Sequence, residues 1–125
     1  MEQIKDKTEG KDLNNDFADF TGTCYHHKHW LPGMVYTDGI RSMAEKYKAY
    51  WLLDVVFSYW THKKVRKEPF QIWTITAKDG EAVVKMQTDT DKPIMVKQDI
   101  PFTDFPEGTL KMYLSDRVLL LPSEY

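Results

Sequence analysis

One stretch constrains the fold more than any other: residues 36–60, YTDGIRSMAEKYKAYWLLDVVFSYW, the most apolar and aromatic segment of the chain. Thr37 or Asp38 can cap a helix here, since a short side-chain oxygen accepts from the free N–H groups of a first turn. Ile40, Met43, Ala44 and Tyr47 then recur at spacings of three and four, the period of one helical face, while Arg41, Glu45, Lys46 and Lys48 fall elsewhere. From Tyr50 the two-sided pattern ends. Trp51, Leu52, Leu53, Val55, Val56, Phe57, Tyr59 and Trp60 surround the axis, which predicts a second helix, buried on most sides, after a kink or short turn near Lys48. A strand is the competing reading, because Val, Phe, Tyr and Trp favour sheets. A run of about twelve residues is long for a strand and favours the helix. Tyr50, Asp54 and Ser58 stand at i, i+4 and i+8 and form a polar stripe on it. A buried Asp54 requires a partner, with Tyr50, Ser58 or a distant basic group as candidates. The functional alternative is a polar site lining a groove.

The remainder of the chain has to supply what this helical pair packs against. A chain of 125 residues with 42% apolar content is long enough for one domain, burying roughly two-thirds of its unfolded surface. The expected division is a flexible tail over 1–10, too poor in apolar groups to offset ordering entropy, and a single domain over 11–125. Leu13, Phe17 and Phe20 predict a short amphipathic helix over 11–20. A short strand is expected over 23–30, turning at Pro32-Gly33. Beyond Pro69 the apolar period becomes two. It predicts strands over 70–77, 81–88, 94–100, 109–114 and 118–122. Helices first and strands after give an α+β fold: an N-terminal helix and a central helical pair packed on an antiparallel sheet of about four to five strands, in meander order. A meander leaves two unpaired edges, so pairing into a homodimer is an open alternative.

Composition narrows the function. A formal charge of −2 excludes a global basic field that would recruit nucleic acid. Cys24 is the sole cysteine, which excludes an internal disulfide and agrees with a reducing compartment. The first dozen residues lack an apolar signal region, and the central run is too short to span a bilayer and is interrupted by Asp54. The expectation is a soluble cytoplasmic protein without membrane contact or cofactor.

Four features could carry chemistry or recognition. His26, His27 and His29 follow Cys24. On a strand, His27 and His29 would share one face and His26 would join Lys28 and Trp30 on the other. Two ligands at i, i+2 fall short of the three or four that zinc requires, so no metal is assigned. A metal- or cysteine-dependent enzyme around Cys24 and these histidines stays an alternative. The chain has no serine elbow, phosphate-binding glycine loop or paired-carboxylate motif, so no catalytic residue is assigned. The run His62, Lys63, Lys64, Arg66 and Lys67 reads as a solvated segment or as a phosphate-contacting patch, with Tyr59 and Trp60 beside it to stack on a base. Phe102 and Phe105, held between Pro101 and Pro106, are either interface anchors or rings tucked under the sheet edge.

Phe20-Thr21-Gly22-Thr23, Tyr36-Thr37-Asp38-Gly39 and the run from Ala49 to Asp54 carry a resemblance. Over residues 20–60 the chain resembles a family of small uncharacterised bacterial proteins found on plasmids, prophages and related mobile elements. That family offers no catalytic residues to transfer. The resemblance implies a bacterial or phage accessory protein, a class that often acts by binding a host complex, inhibitors of host defence nucleases included. The resulting expectation is a non-enzymatic interaction protein whose partner is a host protein or ribonucleoprotein complex. It would use the basic segment and the proline-bounded loop. A nucleic-acid-binding accessory protein using the local basic patch is the alternative.

Overall fold

A computed structural model describes residues 11–21 and 25–125; the expected tail over 1–10 and Cys24 lie outside them. Among the described residues seven strands form one sheet: β1 (His26–Lys28), β2 (Val35–Thr37), β3 (Phe70–Lys78), β4 (Glu81–Gln87), β5 (Val96–Ile100), β6 (Gly108–Ser115) and β7 (Val118–Leu120). Their order is β1-β2-β7-β6-β3-β4-β5. The α-helices α1 (Asp38–Lys46), α2 (Tyr50–Ser58) and α3 (Lys63–Arg66) accompany it. The class is α+β, as the succession of periods implies.

The sheet is larger than the expected four to five strands, and it is mixed. β2 runs parallel to β7, pairing Val35 with Val118 and Tyr36 with Leu119. The Pro32-Gly33 turn joins β1 to β2, and Gly33 takes a φ of +86° that L side chains rarely adopt. β2 is three residues long and runs straight into α1, so its strand signal is masked by the helix cap that follows. The order is also no meander. β6 pairs with β3 rather than β5, so the segment 101–107 must cross the end of the β3–β4 hairpin. Thr103 N–H donates to Gly80 O at 2.9 Å and Asp79 N–H to the Glu107 carboxylate at 3.1 Å along that crossing.

The expected helix over 11–20 is a 3-10 turn, Leu13–Phe17. Short polar side chains here prefer local and cross-strand bonds to a helical ladder. Asp12 accepts from Asn14 N–H at 2.9 Å. The Asn14 amide behaves as a strand neighbour of β6, donating to Lys111 O at 2.9 Å and accepting from Lys111 N–H at 2.8 Å. Leu13 and Phe17 are nonetheless buried.

One face of the central strands presents Trp73, Ile75, Val84, Met86, Leu110 and Met112 to the helices, and these pack in one core with Leu52, Leu53, Val56 and Phe57 of α2. α1 adds Ile40, Met43 and Ala44. Tyr50, Asp54 and Ser58 face solvent instead of the core. The expectation of a buried Asp54 is therefore overturned: α2 lies on the sheet with one polar seam outward.

The break near Lys48 is a Schellman ending. Ala49 N–H reaches Ala44 O at 2.8 Å, and Lys48 sits at φ +53°, where glycine is usual. The start of α1 is built from both ends of the chain. Thr37 is the N-cap, accepting from Ile40 N–H at 3.3 Å. Its hydroxyl donates to Glu124 at 2.6 Å, and Glu124 also accepts from Gly39 N–H at 3.0 Å and Leu121 N–H at 2.9 Å. A carboxylate at a helix N-terminus is favoured by the unsatisfied N–H groups and the dipole. A Cβ on residue 39 would stand 2.6 Å from that carboxylate, so any larger residue there must displace Glu124 from its bonds. Among the described residues no helix is long and apolar enough to cross a membrane.

Candidate interaction surface

Asp54, at the middle of α2, gathers two ring donors from the β1–β2 hairpin. Trp30 Nε1–H donates to its Oδ1 at 2.8 Å, and His29 Nε2 lies 2.7 Å from the same oxygen. Leu31 N–H donates to His29 Nδ1 at 3.1 Å. That bond requires a lone pair on Nδ1, so in the neutral ring Nε2 carries the proton and donates to Asp54. The His29 ring packs edge-on against Phe57 at 4.6 Å and beneath the Trp30 ring at 5.0 Å. The Trp30 indole is thereby fixed at its N–H while remaining 74% exposed. Both nitrogens of His29 are committed to this support, which leaves neither for proton transfer or metal ligation.

The histidines do not converge. β1 ends at Lys28, so strand alternation does not extend to His29 or Trp30, and the two side chains meet the same carboxylate despite their opposite expected faces. His27 pairs with Asp38 at 2.7 Å and tilts against Tyr36, and His26 is exposed. Among the described residues no three His, Cys, Asp or Glu side chains gather as a metal site. The stripe on α2 also divides. Tyr50 donates to Glu45 at 3.0 Å and Ser58 to Val55 O at 2.6 Å, so neither serves Asp54. The bond from Tyr50, and then that from Arg41, holds the Glu45 carboxyl below its ordinary range.

The basic segment forms α3, anchored by buried Val65. Buried Gln71 secures its end, donating to Val65 O at 2.8 Å while accepting from Trp73 Nε1–H at 2.8 Å. His62, Lys63, Lys64, Arg66 and Lys67 are exposed. The aromatics beside them are engaged elsewhere. Tyr59 donates to Gln98 at 2.6 Å and tilts on Trp73, and Trp60 carries the Arg117 guanidinium at 5.8 Å. Neither ring stands clear for a base beside the lysines.

The proline-bounded loop separates its two phenylalanines. Phe105 is 5% exposed and packs edge-on against Tyr47 at 5.2 Å, so it belongs to the core. Phe102 is 90% exposed. It lies at a groove of about 770 Å³, lined also by Tyr47, Lys48, Trp51 and Asp104. Trp30 and Phe102 are thus the two large rings most exposed to solvent among the described residues. Sequence reasoning identified Phe102 but placed Trp30 only as a strand residue; its tie to Asp54 spans 24 positions and leaves no local signal.

Residues 11–125 match a family of unknown function (DUF6876). No curated protein and no solved structure matches the chain.

Proposed function

The chain belongs to DUF6876, a family of unknown function, and we propose that it acts by binding another macromolecule rather than by catalysis. The observation that carries this reading is the support built under Trp30. An exposed indole ordinarily loses side-chain entropy on docking. Here Asp54 and His29 have already paid that cost, and preorganised aromatic anchors are the usual centres of protein interfaces. Phe102, beside its groove, supplies a second anchor. The partner we propose is a host protein or ribonucleoprotein complex. In keeping with the resemblance over residues 20–60, the chain is an accessory protein of a bacterial mobile element or phage that inhibits a host defence nuclease by occupying its surface.

Affinity capture from native bacterial lysate with and without nuclease tests this, run with wild type, Trp30→Ala and Phe102→Ala in parallel. A protein complex retained after nuclease by wild type and lost with Trp30→Ala is the expected result. Equal capture by all three folded chains refutes the assignment of Trp30 and Phe102. Loss of all captured material on nuclease treatment favours nucleic-acid binding instead.

A further inference from the structure

Among the described residues the helices cover one face of the sheet and leave the other open. On that open face the strand register aligns Lys97 of β5, Lys85 of β4, Thr74 of β3 and Lys111 of β6 in one row. Strands about 4.8 Å apart make the row about 14 Å long. Lys85 stands directly opposite Lys97, a like-charge pairing that destabilises a sheet. Among the described residues none of these three ammonium groups forms an ion pair. Two shallow depressions flank the row. One, of about 610 Å³, is lined by Thr76, Lys85 and Asp99 among others, and the second, of about 520 Å³, by Asn14, Thr109, Lys111 and Tyr113. At the β6 end Tyr113 meets Phe70 at 5.0 Å and Tyr125 at 5.4 Å, and Tyr125 is 73% exposed.

We propose that this open face binds single-stranded nucleic acid, with phosphates along the lysine row and a base against the aromatic group around Tyr113. A row of lysines that forms no ion pair among the described residues favours a polyanion, and the adjoining rings favour a ligand that also carries flat apolar groups. A single strand offers both, because its unstacked bases can lie on a sheet as its backbone follows cations. An acidic peptide offers the charge but carries flat rings only where its sequence has aromatics, whereas every nucleotide carries one. The site is distinct from α3 and from the Trp30 surface on the helical side, and it does not depend on the docking reading.

The test is fluorescence anisotropy of the full chain with a dye-labelled oligouridine of about twelve nucleotides, titrated at several salt concentrations. The triple variant Lys85→Gln, Lys97→Gln, Lys111→Gln is expected to bind at least tenfold more weakly. Its salt slope should flatten by about 2, which is three phosphates at about 0.7 each for a single strand. Tyr125→Ala should weaken binding several-fold with the slope unchanged. Replacing Lys63, Lys64 and Lys67 by Gln should leave the slope as in wild type. Should the sheet triple fail to fold, Lys85→Gln alone is read, with a slope change of about 0.7 expected. Absence of wild-type binding at low salt, a slope lost only in the α3 variant, or displacement of the strand by poly-glutamate at equal charge would each overturn the proposal.

Discussion

Glu124 is the residue on which the start of the helical layer depends. Its buried carboxylate takes three hydrogen bonds, from Thr37, Gly39 and Leu121. Hydrogen bonds to a charged group contribute about 1.5–3 kcal/mol, and Glu124→Ala would strand two N–H donors as well. The expected cost is about 3 kcal/mol, read by denaturant unfolding; a change below about 1 kcal/mol would count against the latch. Gly39→Ala should destabilise in the same assay, because the new Cβ drives the carboxylate out of place. Lys48→Gly has the opposite sign. A non-glycine residue in the left-handed region costs about 1–2 kcal/mol, partly offset by glycine's greater freedom in the unfolded chain, so a gain of about 1 kcal/mol is expected. Tyr47 links residue chemistry to pH. Burial, and then its bond to Asp16 at 2.6 Å, raise its phenol above the ordinary 10. The folded state holds this proton more tightly, so the added stability is complete below pH 10 and is lost as pH rises beyond it. Tyr47→Phe should flatten the alkaline limb of the stability profile. Of these residues, Thr37 was legible as a cap from its neighbours, whereas the need for Gly39 was not, because its reason lies 85 positions away.

At the scale of elements, periodicity identified what a single segment determines. The two central helices, their break at Lys48 and the five strands after Pro69 each follow from a repeating local pattern. What stayed hidden depends on partners. β2 is too short to show a period, and its parallel pairing with β7 is visible only in the assembled sheet. Leu13 and Phe17 have helical spacing yet lie on a 3-10 turn, because Asn14 bonds β6 in place of a strand. Tyr50, Asp54 and Ser58 lie exposed along α2, and they serve three different partners. Asp54 can be isolated by experiment. Asp54→Ala should speed hydrogen exchange at the Trp30 indole N–H, read by NMR, while changing global stability by less than about 1 kcal/mol, since the bond lies at the surface. Unchanged exchange would mean that Asp54 does not hold the ring.

The whole molecule presents two sides of different character. The helical side carries Trp30, held by Asp54 and His29, and the exposed ring of Phe102, and the open sheet face carries a lysine row that forms no ion pair among the described residues. A net charge of −2 hides that second feature, because register rather than composition gathers the three lysines. The same long-range order explains why candidate surfaces were only partly legible. Phe105 and Tyr59 looked like recognition aromatics in sequence; in the fold Phe105 is a core residue and Tyr59 is half-buried against the core, while Trp30 looked like a strand residue and is the most firmly supported exposed ring. The central claim, that this chain docks through a preorganised Trp30, is tested most directly by one measurement: the affinity of wild type and Trp30→Ala for the nuclease-treated partner complex, with both chains shown to be folded. A central aromatic anchor predicts a loss of at least about 2 kcal/mol, some thirtyfold, for Trp30→Ala. Equal affinity of the two chains would contradict the account.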